Sequence, residues 1–358
     1  MSYDISFETF LQEVIDRKAS DVHISQGAPV MLRVDGELVP TKHAPTVILT
    51  GEDSRLLCTK YCTEEMLAEL ERERELDFSF FFEDKSRFRV NLFYHMGNVT
   101  GAFRPIPSKI PTMEALGLPQ ALKGLTDLPR GLILVTGPTG SGKSTTMAAM
   151  IGHINQTRGD HIITIEDPIE FVHTSKRALV AQREVGKDTH KFVNALKYAL
   201  RQDPDVVLIG EMRDLETVGA AITIAETGHL VFGTLHTNTA VQTINRIIDV
   251  FPAHQQSQIR TQLSFILMAI VSQQLVPKIG GGRQLVQEVM IPNHAIRNLI
   301  REDKIHQLYT AMQIGQKDSG MITMNQGLAY YCKKGVISRE DALEHATDLD
   351  ELKKSLGM

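Results

Sequence analysis

Cysteine is scarce in this chain: three in 358 residues, at Cys58, Cys62 and Cys332. Cys58 and Cys62 stand four apart and no C-x-x-C pair exists, which excludes the usual structural zinc module. An odd, sparse count fits a reducing compartment. Long apolar runs are also missing. The longest, Phe265–Val271, has seven residues, against the ~20 needed to cross a bilayer. The opening residues Met1-Ser2-Tyr3-Asp4-Ile5 carry neither a basic region nor an apolar stretch of the secretory kind. The expectation is a cytoplasmic protein with no transmembrane segment, docked on a membrane only through partners. Excess basic charge is missing too. Lys and Arg number 38 against 43 Asp and Glu, a net charge of −5, and no stripe of basic and aromatic residues is evident. Both facts weigh against a nucleic-acid partner. There is no internal repeat and no low-complexity tract.

Hydrophobic residues make up 42% and charged residues 23%, ordinary values for a globular protein with a sizeable core. The length suits two domains or one large one.

One local pattern dominates. Gly137-Pro138-Thr139-Gly140-Ser141-Gly142-Lys143-Ser144 matches G-x-x-x-x-G-K-[ST], a phosphate-binding loop. The run Gly131–Thr136 before it reads as a buried strand, and Thr145–Ile151 after it as a helix. That context is what the motif requires. Glycines let backbone N–H groups turn inward around phosphate oxygens, and the helix N-terminus adds partial positive charge. Lys143 can reach the β- and γ-phosphates of ATP, and the Ser144 hydroxyl can ligate Mg²⁺. A glycine-rich turn that holds nothing is the plain alternative, and the complete spacing with both flanks argues against it.

The residues before position 105 read as a small α+β unit, 1–104. Ser6 is placed to cap a helix whose Phe7, Phe10, Leu11, Val14 and Ile15 share one face. Val30–Val34 and Glu37–Val39 flank the hairpin signal Asp35-Gly36. Leu76–Phe82, Arg87–Tyr94 and Val99–Arg104 read as strands, with a charged helix near Glu64–Arg74. Pro105-Ile106-Pro107-Ser108-Lys109-Ile110-Pro111 blocks both helix and central strand and marks a linker, 105–112, either a hinge or an extended spacer. From 113 to 358 strands and helices alternate, as in an α/β domain with a largely parallel sheet. The strands are Leu132–Val135, His161–Ile165, Val206–Ile209 and Leu230–Thr234. A helix starts at Asp214 and stops at Gly228. Another is expected from Pro252 to Gln274, with Ile259, Leu263, Ile266 and Ile270 in register. Gly280-Gly281-Gly282 marks a turn, and helical segments follow at Ala295–Glu302 and Arg339–Ala346.

Hydrolysis of a nucleoside triphosphate needs an acidic contact to the metal shell, a group that poises water, and cations for the developing charge. Val206–Ile209 ends in Gly210-Glu211, a strand that delivers a carboxylate at its end. Gly210 holds the place usually given to Asp, which leaves the acidic work to Glu211, through a water on Mg²⁺. Ile162–Ile165 ends in Glu166-Asp167-Pro168-Ile169-Glu170. Three carboxylates so close are costly unless a cation or a reaction uses them. Glu166 and Glu170 are rivals for poising water. His229 and His236 bracket one short strand, to sense the γ-phosphate, to link subunits, or as structural residues. Arg87, Arg89 and Arg104 lie on the early strands, and Arg201 and Arg213 nearer the nucleotide motifs. Spacing does not choose a finger among them.

Gly137–Ser144, Thr164–Glu170, Gly210–Asp214 and Thr227-Gly228-His229 with Leu235-His236-Thr237 resemble, in order and spacing, the Walker A, Asp, Walker B and His boxes of the type II/type IV secretion ATPases. Ala295-Ile296-Arg297-Asn298-Leu299-Ile300-Arg301-Glu302 is similar to the AIRNLIRE motif of type IV pilus retraction ATPases, the PilT family. The resemblance runs from Ser20-Asp21-Val22-His23-Ile24 to the C-terminal helices. It implies a PAS-like N-terminal domain, a RecA-like ATPase domain carrying C-terminal helices, and a ring-shaped homohexamer. It further implies a membrane-embedded pilus platform protein as partner, at the inner membrane, and leaves open a second retraction ATPase alongside. Arg87, Arg104 and Arg201 fall where the family's arginines are expected, and Arg297, Leu299 and Arg301 would belong to the surface retraction requires. An assembly or export ATPase is the alternative within the superfamily. Those relatives carry an extra N-terminal domain and a tetracysteine zinc module, for which this chain has neither room nor cysteines. A nucleic-acid translocase would need the basic stripe noted as missing. A scaffold without turnover would need the acidic residues Glu166, Glu170 and Glu211 to be absent.

Overall fold

A computed structural model describes residues 6–34, 36–83, 86–106, 109–314 and 320–358. It has two compact units, Met1–Lys109 and Ile110–Met358.

The first unit contains α1 (Phe7–Asp16), β1 (Asp21–Ile24), β2 (Met31–Val34), β3 (Glu37–Pro40), α2 (Gly51–Thr59), α3 (Glu64–Glu73), β4 (Glu75–Phe82), β5 (Ser86–His95) and β6 (Asn98–Ile106). The strands form one antiparallel sheet in the order β3-β2-β1-β6-β5-β4. Burial alternates along β5, so that Phe88, Val90 and Leu92 turn toward the core that α1 covers with Phe7, Phe10, Leu11 and Val14. Ser6 occupies the cap position of α1, but its hydroxyl meets Thr9 Oγ1 at 3.2 Å and no backbone N–H; the expected side-chain cap is not made. The hairpin of β2 and β3 forms, with Gly36 at φ +91°; Asp35 lies outside the described residues. β6 runs on through Pro105, which pairs with Phe88 beyond the end of β1, so Pro105 and Ile106 belong to the sheet and not to a linker. Pro107 and Ser108, the middle of the expected linker, lie outside the described residues.

The second unit begins with α4 (Gln120–Thr126), β7 (Gly131–Thr136), α5 (Lys143–Thr157), β8 (His161–Glu166), β9 (Leu179–Glu184), α6 (Phe192–Ala199), β10 (Val206–Ile209), α7 (Leu215–Glu226) and β11 (Leu230–Leu235). It continues with α8 (Ala240–Asp249), α9 (Ala253–Ile266), β12 (Leu267–Pro277), β13 (Arg283–Met290), α10 (His294–Arg301), α11 (Leu308–Ile314), α12 (Met324–Lys333), α13 (Arg339–Glu344) and α14 (Leu349–Leu356). The sheet order is β13-β12-β7-β11-β10-β8-β9, and only β13 runs antiparallel to its neighbour. Helices cover both faces, so every residue of β7, β10 and β11 is buried and these strands read as unbroken apolar runs. The mixed α/β class with a largely parallel sheet is as expected.

The expected helix from Pro252 to Gln274 is corrected: α9 stops at Ile266 and Leu267–Pro277 is a strand. The apolar run Phe265–Val271 suited either period. β7 and β13 decide it by offering Leu267–Pro277 hydrogen-bonding partners on both sides. Gly280, Gly281 and Gly282 turn β12 into β13, all with positive φ. The helix expected from Asp214 is α7, Leu215–Glu226, and Asp214 caps it, Oδ1 accepting from Thr217 N at 2.8 Å. Among the described residues no helix is long and apolar enough to cross a membrane.

Candidate functional site

Parallel strands deliver their following residues to one edge of a sheet, and ligands of open α/β sheets bind at that edge. Here the edge collects Gly137 after β7, Glu166 at the end of β8, Glu211 after β10 and His236 after β11. One strand, β11, lies between β7 and β10. That order sets His236 between the loop and Glu211, with His236 Nε2 3.1 Å from Glu211 Oε1.

The loop Gly137–Gly142 is built on glycine geometry. Gly137, Gly140 and Gly142 have φ of +142°, +79° and +87°. A Cβ on Gly137 would stand 2.3 Å from the Gln273 carbonyl oxygen of β12. Pro138, Thr139 and Gly140 form the exposed crest, Ser141 is buried, and Ser144 and Thr145 are half-buried on the first turn of α5. Lys143 Nζ donates to the carbonyls of Gly137 at 2.8 Å and Pro138 at 3.0 Å. Burial lowers the Lys143 pKa, against the charges of Glu211 and Glu170, which raise it.

Glu211 is held by Arg213, whose Nε lies 2.5 Å from Oε1 and whose Nη2 donates to Oε2 at 2.6 Å. Burial pushes the Glu211 carboxyl up, but the hydrogen bond and charge of Arg213, with His236 and Lys143, outweigh it and hold the carboxyl below its ordinary range. Space beside Gly210 is tight. A Cβ there would lie 3.2 Å from both Glu166 Cα and the Ile165 carbonyl oxygen, so the ends of β8 and β10 close over the position where Asp is usual.

Glu166 accepts from Thr164 Oγ1 at 2.6 Å and Gln182 Nε2 at 3.2 Å. Burial raises its pKa above the ordinary value, over these hydrogen bonds and that of the Glu170 peptide, and the Glu170 charge adds to the rise. Glu170 itself is exposed. Gln182 sits on β9, whose mixed polar sequence carries no strand or site signal.

Not every expected residue reaches this edge. His229 precedes β11, and its carbonyl accepts from Gly131 N at the start of β7, so it lies at the opposite edge of the sheet. Its Nδ1 is 3.1 Å from both Thr227 Oγ1 and the Ile224 carbonyl at the end of α7. Within its own chain, sensing of the γ-phosphate by His229 is corrected to a structural contact. Arg201 lies in the turn before β10, also at that far edge, with its guanidinium 5.8 Å from the Tyr198 ring. Arg87 and Arg104 belong to the first unit. Arg87 donates to Ser79 Oγ at 3.1 Å, and Arg104 Nε to Asp21 Oδ1 at 2.9 Å. Arg297 is half-buried. It donates to the Ser264 and Phe265 carbonyls at 2.6 and 3.0 Å, capping the end of α9.

Sequence reading missed the floor of the loop. Gln273 of β12 is fully buried, and its Nε2 donates to the Ser141 carbonyl at 2.8 Å. Beside the first turn of α5, a cavity of ≈520 Å³ opens between Gly142, Thr145 and Thr146 and the β12–β13 hairpin, with Leu275, Leu285 and Tyr331 on its walls. Among the described residues no group of three or more His, Cys, Asp or Glu could hold a metal ion on its own.

Residues 4–281 match the model of the type II/IV secretion system protein family. This chain belongs to that family. The secretion-family relatives include the type IV pilus retraction ATPase PilT of Pseudomonas aeruginosa, 52% identical over 92% of this chain and 94% of its own length. A twitching motility protein of Neisseria gonorrhoeae is 46% identical over 90% of this chain and 85% of its own. Among solved structures, the pilus retraction motor PilT with bound ADP superposes with a TM-score of 0.92 at 52% identity, covering 98% of this chain and 100% of the other. The second unit of this secretion-family chain has the RecA-like ATPase fold.

Proposed function

We propose that this chain is the ATP-hydrolysing motor of type IV pilus retraction. The observation that carries the reading is the end-to-end likeness to a retraction motor that holds ADP, 98% of this chain against 100% of the other. The likeness extends past residue 281, where the family model ends, into α10 and the helices after it.

In this reading the phosphates of ATP lie in the loop Gly137–Thr145. The backbone N–H groups of Gly140–Lys143 and the start of α5 face them, and Lys143 moves from the loop carbonyls to the β,γ-oxygens. Mg²⁺, when bound with the nucleotide, neutralises phosphate charge; the Ser144 hydroxyl would ligate it and Glu211 would hold one of its waters. Glu166 is the stronger candidate for poising water. It stands at a strand end, is oriented by Thr164 and Gln182, and its raised pKa favours taking a proton. Glu170 is the second candidate. His236 and Arg213, both on Glu211, report the state of the terminal phosphate to β10 and β11. An arginine from the same or an adjacent subunit of a ring of six copies, Arg87, Arg104 or Arg201, would stabilise the departing charge. The motor acts at the inner face of the membrane through a pilus platform protein, with a second retraction ATPase as a possible companion in the same assembly.

Assembled full-length protein should hydrolyse ATP with Mg²⁺, and Lys143→Ala should lose that activity. Turnover retained in Lys143→Ala would refute the assignment. Deletion of the gene should leave excess, immobile fibres; absent fibres would mean assembly instead.

A further inference from the structure

Three buried polar atoms near the phosphate loop have no hydrogen-bond partner among the described residues: Ser141 Oγ, Gln273 Oε1 and Gln287 Nε2. Two of them belong to residues paired across neighbouring strands. Gln273 of β12 and Gln287 of β13 are direct partners in the antiparallel pair, so their side chains project to the same face. They are 0% and 7% exposed. One offers an unused acceptor and the other an unused donor. The remaining end of the Gln273 amide is in use, Nε2 donating to the Ser141 carbonyl at 2.8 Å.

We propose that Gln273 is a positioning residue for the phosphate loop, and that Gln287 sets which way its amide faces. The loop needs a donor beneath it. Were the Gln273 amide turned over, its oxygen would oppose the Ser141 carbonyl, two acceptors against each other in a dry site. No hydrogen bond joins Gln287 Nε2 to Gln273 Oε1 in this structure; rotation of the Gln287 side chain on the same face would bring its NH₂ to that oxygen, opposing the reversal and leaving Nε2 for Ser141. The carbonyl of Ser141 is thereby drawn down toward β12, and the N–H groups of Gly142 and Lys143 that follow are turned up to the phosphates. Close packing leaves the loop no slack, since a Cβ on Gly137 would meet the Gln273 carbonyl at 2.3 Å and one on Gly142 would meet Gln273 Nε2 at 3.4 Å. The strand behind is equally confined, because a Cβ on Gly327 of α12 would lie 3.3 Å from the Gln287 carbonyl oxygen. α12 thus packs closely on the backbone of β13 at Gln287.

The inference rests on the ATPase reading, but its test is a ratio between variants. Full-length Gln273→Leu, Gln273→Met and Gln287→Leu are assembled and assayed for ATP turnover and for ADP binding by calorimetry. For the Gln273 variants, KM for ATP and Kd for ADP should rise about five- to tenfold, the loss of one hydrogen bond to the loop, with a smaller change in kcat. Gln287→Leu should move both in the same direction, less far, and Gln273→Leu/Gln287→Leu should be no worse than Gln273→Leu alone. Gln273→Glu supplies a readout that simple packing does not move: its acid form donates to Ser141 and its carboxylate does not, so its KM relative to wild type should fall as the pH is lowered. Unchanged KM and Kd in whichever Gln273 variant folds, or a flat pH ratio for Gln273→Glu, would overturn the proposal. A wild type without ATP turnover would instead sink the functional reading.

Discussion

Replacing Gly137 by alanine separates two costs that glycines in a phosphate loop usually share. The backbone at Gly137 has φ +142° and at Gly140 φ +79°, so alanine at either is strained, by about 1–2 kcal/mol. The surroundings differ. At Gly140 a Cβ meets nothing within 4 Å, whereas at Gly137 it would stand 2.3 Å from the Gln273 carbonyl and 2.7 Å from Ser141 Oγ. The first of these is backbone of a strand paired on both sides, which cannot turn away as a side chain can. Relief must come from lifting the loop, and such overpacking costs a further ~1–3 kcal/mol. For a domain of this size 1 kcal/mol is worth roughly 2–4 °C, so Gly137→Ala should melt about 2–12 °C below Gly140→Ala. It should also lose ATP turnover, because the lifted loop carries the phosphate-facing amides with it, while Gly140→Ala keeps a measurable fraction. The assay is a thermal melt of each full-length variant without nucleotide, followed by ATP hydrolysis at saturating substrate. Equal melting points and equal activities would show that β12 does not confine the loop.

Other consequences are as direct. Glu288 is buried on β13 and accepts from Ala240 N at 2.7 Å and Met324 N at 3.3 Å, the first residues of α8 and α12. Glu288→Leu should strand both donors and cost about 2–6 kcal/mol in urea unfolding; a loss under 1 kcal/mol would mean the helix ends find other acceptors. Arg297→Ala should destabilise by about 1.5–3 kcal/mol by uncapping α9, whereas Arg301→Ala, which loses an exposed cation–π contact with Phe265, should cost under about 1 kcal/mol. Equal melting of the two would refute the division of roles along α10. The folded pKa of Glu211 lies below its ordinary 4.5, so its contribution to stability is full above that value and is lost as pH falls through the depressed one. Arg213→Ala removes the hydrogen bond and charge that lower this pKa, so the variant should be less stable than wild type near pH 7 and converge on it as pH falls through the depressed value; a stability difference that does not change with pH would show that the pair does not act on Glu211.

The site's local chemistry was legible because it is consecutive in the chain. The loop from Gly137 to Ser144 needs only its own residues and a strand and helix on either side. The carboxylates Glu166, Glu170 and Glu211 were legible as the ends of apolar strands. What could not be read was contact between segments. Gln273 falls in a stretch whose apolar spacing fits a helix, so neither its strand nor its place under Ser141 shows in sequence. Gly210 reads there as a departure from pattern, and only the structure shows how closely Glu166 Cα approaches it, 3.2 Å from a Cβ at that position. His229 and His236 look equivalent at the two ends of one strand, yet a parallel sheet has a working edge and a far edge, and they lie on different ones.

Sequence alone determined that a strand–loop–helix unit with amides, a lysine and a hydroxyl at fixed intervals would meet a triphosphate, since backbone geometry over a few residues follows from glycine and from apolar periodicity. Tertiary structure decided which distant groups complete it. Strand order put β11 between β7 and β10 and so set His236 on Glu211, and the pairing of β12 with β7 and β13 brought a buried glutamine beneath the loop. Such choices depend on which edges hydrogen-bond and which faces exclude water, and these are properties of the assembled sheet and not of any one segment.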